Sequence, residues 1–205
     1  MLHLAEAEIR ALGEGGVVVR DGVVPRARIA AWAAEVDRLD AIDRLTPAGI
    51  GRTATLDPSL RGDRTTWLGD VPDGKLVGLH AVFDAVRDEL NQDAWLGLRA
   101  YTVQLAVYPG DGARYVAHRD AFANEPARRA TVILYLNPDW EPDHGGCLRV
   151  WVPEGTRDVE PIGGRLVAFL SDRVEHEVLP THAVRRAATA WYRGPEALVD
   201  VGWGG

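Results

Sequence analysis

Two periods govern where hydrophobic residues fall along this chain. Ile29, Trp32, Ala33, Val36 and Leu39 recur at helical spacing, as do Leu79, Phe83, Val86 and Leu90, so each set predicts an amphipathic helix with one apolar face. Pro25 suits the first turn of the earlier helix, and "GVVVR" ahead of it reads as a short strand. Residues 43–75 mix Gly, Pro, Asp and Arg, which predicts a loop-rich excursion with two short strands. From residue 99 the period shortens into "AYTVQLAVY", "RYVAH", "ATVILYLN", "CLRVWVP", "RLVAFL", "EHEVLP" and "RRAATAWY". Seven or eight closely spaced strands predict a sandwich or jelly roll, and helices placed before strands predict a buttress on one face of the β-core, not the crossovers of a parallel sheet. The expectation is one domain over 1–205, with 1–98 as helical support and substrate loop and 99–193 as jelly-roll core.

Length and charge narrow the function. A chain of 205 residues can bury a core without a structural metal, so a metal here would serve function. A formal net charge of -7 gives no reason to expect nucleic acid or anionic lipid as a partner. The single cysteine, Cys147, excludes an intrachain disulfide and a Cys-rich zinc site; it fits a reducing compartment and reads as a small buried hydrophobe. No run of about 18 apolar residues occurs. A cytoplasmic monomer is the default expectation.

The chemistry begins in "YVAHRDAF". On a strand, side chains alternate faces, so His118 and Asp120 point one way and Arg119 the other. His-x-Asp alone is equally a solvated strand end. His176 in "EHEVLP" changes the balance, because antiparallel pairing could carry it beside the first two. Two imidazoles and one carboxylate on one face of a metal leave open positions, the arrangement of non-heme Fe(II) oxygenases. Further on, Arg185 shares its side of the strand with Ala187, Thr189 and Trp191, whereas Arg186 falls opposite; the first set suits a cavity wall. A guanidinium buried there needs an anionic partner, which a dicarboxylic co-substrate would supply.

Together "YPGDGARYVAHRDAF", "TVILYLNPDW", "GGCLRVWVPEG" and "HEVLPTHAVRRAATAWY" resemble the prolyl 4-hydroxylase branch of the Fe(II)/2-oxoglutarate oxygenases, nearest the hypoxia-inducible-factor prolyl hydroxylases and their bacterial relatives. "LRGDRTTWL" extends the likeness to roughly residues 55–193. The resemblance implies a mainly β protein, a double-stranded β-helix (jelly roll) buttressed by N-terminal α-helices. It implies Fe(II) on His118, Asp120 and His176, and 2-oxoglutarate held at its distal carboxylate by Arg185 and Tyr135. Tyr108, Thr189 and Trp191 would line that pocket, Arg128 would stand near the substrate channel, and Arg61 and Asp63 of "RGD" would clasp or gate a substrate loop. O2 is the implied second co-substrate, ascorbate a supporting reductant, and the implied partner a proline-containing protein or peptide, for which bacterial relatives suggest elongation factor Tu.

There are departures. "AFANEPAR" differs from the Gly-rich loop of the animal enzymes, and residues 50–75 correspond to a mobile loop mostly by position. Core packing alone is the lesser reading for Tyr135, Thr189 and Trp191, while Arg128 could equally be a surface residue. His144 and His182 read as surface histidines, and Ser59 and Ser171 sit in no nucleophile pattern. The rivals are a hydroxylase of a free amino acid or peptide natural product, and a non-catalytic jelly-roll binding module.

Overall fold

The computed structural model describes residues 3–50, 55–70, 74, 76–121 and 128–194. In chain order the elements are α1 (Glu6–Gly13), β1 (Val18–Arg20), α2 (Arg26–Ala41), β2 (Thr46–Pro47), β3 (Arg64–Trp67), α3 (Leu79–Ala94), β4 (Ala100–Tyr108), β5 (Tyr115–His118), β6 (Arg128–Tyr135), β7 (Leu148–Val152), β8 (Gly155–Val159), β9 (Leu166–Leu170), β10 (Glu175–Val178) and β11 (Arg185–Arg193). A seven-stranded sheet in the order β1-β9-β6-β11-β4-β3-β2 and a four-stranded sheet in the order β5-β10-β7-β8 make up the jelly roll. Its strand pairs are antiparallel.

Strand alternation sorts the larger sheet into two cores. Val103, Leu105 and Val107 of β4, Val132 and Leu134 of β6, and Ala188, Ala190 and Tyr192 of β11 pack with the buried faces of α2 and α3. Ala106, Ile133, Tyr135, Phe169 and Ala187 join Leu148, Val150 and Val178 of the smaller sheet. The hydroxyl of Tyr192, fully buried in the first core, donates to the carbonyl of Phe83 at 2.8 Å, which satisfies it without exposing the ring.

Several expectations need correction. Pro25 is the residue before α2, not part of its first turn. Helix α1 was not foreseen, because only Leu12 on it is buried; strand β8 was not, because "GTRDV" is an exposed edge strand with one buried residue. The short strand at "GVVVR" and two short strands within 43–75 are present as β1, β2 and β3, which extend the larger sheet. Cys147 is half-buried, not buried. His144 is also half-buried, set edge-on to Trp140, while His182 is exposed. The loop expectations that fall on residues 51–54, 71–73, 75 and 122–127 lie outside the described residues.

Candidate metal and co-substrate site

The smaller sheet brings the two histidines together. His118 at the end of β5 is the direct cross-strand partner of His176 on β10, so both rings project from one face. The strand does not continue to Asp120, as alternation had suggested; it ends at His118, and Asp120 follows in a bend. The bend still returns the carboxylate to the same point. Asp120 Oδ1 lies 3.7 Å from His118 Nε2, and Oδ2 lies 3.7 Å from His176 Nε2. One ligand atom from each of the three residues falls within 4.8 Å of the others.

Backbone carbonyls fix the imidazole tautomers. His118 Nδ1 faces the carbonyl of Val116 at 2.9 Å and His176 Nδ1 faces that of Val174 at 3.2 Å. A carbonyl only accepts, so each Nδ1 carries the proton and each Nε2 presents a lone pair to the centre. Burial and repulsion from His176 push His118 down to about 4 against the pull of Asp120, which keeps its imidazole neutral near pH 7. At Asp120 burial works toward the protonated form. The neighbouring His176 and His118, with a hydrogen bond from Thr131, outweigh it and hold the carboxyl below its ordinary range. Two imidazole nitrogens and a buried carboxylate are a donor set that fits Fe(II).

These residues line a cavity of about 340 Å³ that also takes in Arg185, Tyr108, Thr189 and Trp191. Arg185 is 2% exposed. Its Nε donates to the carbonyl of Gly146 at 2.8 Å, and its guanidinium lies over Tyr108 and Tyr135, 5.0 and 5.1 Å from the ring centroids. Among the described residues no carboxylate is ion-paired with it. The Tyr135 hydroxyl is also buried, with the Arg185 guanidinium as its polar neighbour, and burial, opposed by Arg185, pushes it up to about 12. A buried cation and a phenol hydroxyl side by side fit an anion with two oxygens to share. Arg186, on the opposite side of β11, pairs with Asp37 of α2, as the alternation required.

The remaining candidates also line the cavity. Arg128 lies over the Trp191 ring at 4.9 Å and donates to the Asp120 carbonyl at 3.2 Å, so it is a half-buried member of the cavity wall. Arg119 lines the cavity too, despite the opposite direction expected of it. Arg61 and Asp63 form a two-bond ion pair at 2.7 and 3.0 Å, with Asp63 2% exposed. Sequence reasoning missed Trp67, which meets Trp191 edge-on at 5.8 Å, as well as Tyr115, Thr131 and Ser171. "TTW" and "RATV" look like ordinary β-formers; only their inward side on the strand could have marked them.

Residues 103–193 match the 2OG-Fe(II) oxygenase superfamily. A Pseudomonas putida prolyl-4-hydroxylase structure is 35% identical with a TM-score of 0.79, covering 92% of this chain and 97% of its own. A Trichoplax adhaerens prolyl hydroxylase, solved with a hypoxia-inducible-factor oxygen degradation domain peptide, is 27% identical with a TM-score of 0.82, over 90% of this chain and 86% of its own. Human prolyl hydroxylase EGLN3 is 42% identical over 154 residues, 69% of this chain and 62% of the relative; the chain thus spans under two thirds of that relative's length. Among the described residues no helix is long and apolar enough to cross a membrane.

Proposed function

The chain belongs to the 2OG-Fe(II) oxygenase superfamily, on its prolyl hydroxylase branch, and from that membership we propose that it hydroxylates C4 of a prolyl residue in a protein substrate. The observation that carries this reading is the sharing of one cavity by the His118, Asp120 and His176 cluster and the buried Arg185, which among the described residues has no carboxylate partner.

His118 and His176 would hold Fe(II) through Nε2 and Asp120 through its carboxylate. Arg185 and the Tyr135 hydroxyl would hold the distal carboxylate of 2-oxoglutarate, with the Tyr108 ring against the guanidinium and Thr189 and Trp191 completing the wall. Iron, 2-oxoglutarate and O2 bound together supply an oxidant for an unactivated C–H bond, with 2-oxoglutarate leaving as succinate and carbon dioxide. What the chain adds is placement. Three side chains leave metal positions free, Arg185 sets the depth of the co-substrate, and the aromatic pair Trp67 and Trp191 narrows the approach so that one carbon is presented. Ascorbate would serve to keep the iron ferrous. Arg128, Arg61 and Asp63 would border the substrate.

Elongation factor Tu is the first protein to try. The protein is incubated with Fe(II), ascorbate and 2-oxoglutarate together with elongation factor Tu, prolyl peptides or free proline, and the products are followed by mass spectrometry and succinate release. Gain of one oxygen on a peptide-bound proline, matched by succinate, supports the reading. Oxidation of free proline alone would replace it with the amino-acid hydroxylase, and iron binding without turnover on any substrate with the binding module.

A further inference from the structure

Beside the His118, Asp120 and His176 cluster lies a chain of two hydroxyls. Thr131, on the inward side of β6, donates from Oγ1 to Asp120 Oδ2 at 2.8 Å, and its Oγ1 lies 2.9 Å from Ser171 Oγ. Both residues are fully buried and Asp120 is 8% exposed. The direction of the chain follows from proton counting. A carboxylate can only accept, so Thr131's one hydroxyl proton goes to Asp120; Ser171 must then donate to Thr131. Each bond polarises the next, which strengthens the grip on the carboxylate.

Ser171 is itself held from three sides. Its amide donates to the Arg129 carbonyl at 3.1 Å, its carbonyl accepts from the Ala121 amide at 3.2 Å, and it follows directly on the end of β9. It thus joins β6, β9 and the bend that carries Asp120. That bend lies beyond the end of β5 and has no sheet partner of its own to orient the carboxylate.

A carboxylate can bind a metal through one oxygen or two, and the difference decides how many positions stay open. An octahedral ion bound by two imidazoles and one oxygen keeps three positions, enough for a chelating keto acid and a further ligand. If both carboxylate oxygens bound, one of those would be lost. We propose that Thr131, oriented by Ser171, is a positioning residue whose hydrogen bond weakens Asp120 Oδ2 as a metal donor and so favours one-oxygen coordination through Oδ1. This rests on the reading of His118, Asp120 and His176 as the metal site.

The test uses Co(II) as the probe, titrated into the full chain without co-substrate and followed by its visible d–d absorption, which reports both affinity and coordination. Thr131→Val is expected to weaken Co(II) binding roughly 10- to 100-fold and to change the band shape and intensity, with Thr131→Ser restoring both. A folded Thr131→Val protein with the affinity and spectrum of the parent overturns the proposal. Should Thr131→Val not fold, Ser171→Ala carries the same test, and unchanged affinity and spectrum there overturn it equally. If the parent takes up no Co(II), or His176→Ala binds it as well as the parent, the metal-site reading itself fails and the proposal falls with it.

Discussion

The ring of Tyr115 lies over that of His118, with centroids 3.8 Å apart and planes inclined by 24°. The Arg61 guanidinium lies 4.4 Å from the Tyr115 centroid, and Arg61 is held by Asp63. A loop ion pair therefore reaches a metal-ligand candidate through one aromatic ring, which gives "RGD" a structural reason to be there.

Because the Asp63 side chain is 1% exposed, removing its partner leaves a buried charge unpaired. Arg61→Ala is expected to cost about 3 to 5 kcal/mol of stability, and the double change Arg61→Met with Asp63→Leu to recover most of it. Chemical denaturation of the single and double variants decides; a single variant within about 0.5 kcal/mol of the parent would contradict the burial argument.

Arg185→Gln keeps the bulk of the side chain but removes the cation. Loss of one partner of a buried, hydrogen-bonded charge pair costs roughly 2 to 5 kcal/mol, so 2-oxoglutarate affinity should fall at least about 30-fold. Calorimetry with the Mn(II)-loaded protein reads this directly, and Mn(II) affinity itself should hardly change. An unaltered 2-oxoglutarate affinity would remove Arg185 from the pocket.

Metal should stabilise the native state because the site is assembled only there. Mn(II) at about 100 times its dissociation constant should add about 2.7 kcal/mol, reversed by a chelator and missing in His176→Ala. Thermal melts with and without Mn(II) check this.

Helix α1 should loosen in acid. Glu8 accepts from Arg20 at 2.6 Å and from the Ala5 amide at 2.9 Å. The Arg20 hydrogen bond holds its carboxyl below the usual range despite some burial. A depressed folded pKa stabilises fully above the unfolded value and is lost as pH falls through the folded one. Amide protection factors across α1 should thus drop as pH falls below the ordinary glutamate value of about 4.3, with those of α3 falling less; equal behaviour in the Glu8→Gln variant would sink the attribution.

What could be read from the chain was whatever depends on period. Alternation separated Arg185 from Arg186, and Trp191 with the small residues beside Arg185 marked its side as the cavity wall; in the structure Arg185 lines the cavity and Arg186 pairs with Asp37. Helical spacing found the buried faces of α2 and α3, whose picked residues are all buried. What escaped depends on partners distant in sequence. Thr131 and Ser171 are 40 residues apart, and nothing in a β-branched residue within an apolar run announces that its hydroxyl is bonded to a ligand 11 residues before it. Asp120 was placed correctly for a partly wrong reason, since a bend, not a strand, returns it. Edge strand β8 and helix α1 bury too few residues to leave a pattern.

Strand β11 is flanked by β4 and β6 and uses both faces, with Arg185, Ala187, Thr189 and Trp191 on the cavity and Ala188, Ala190 and Tyr192 in the core shared with the helices. A slip of a single residue against its neighbours would bury Arg186 in the pocket and push Arg185 toward the α2 and α3 packing, inverting both surfaces at once. Insertions and deletions within 185–193 should therefore be intolerable even where every amino acid type is preserved, making this strand the reading frame on which the whole molecule is registered.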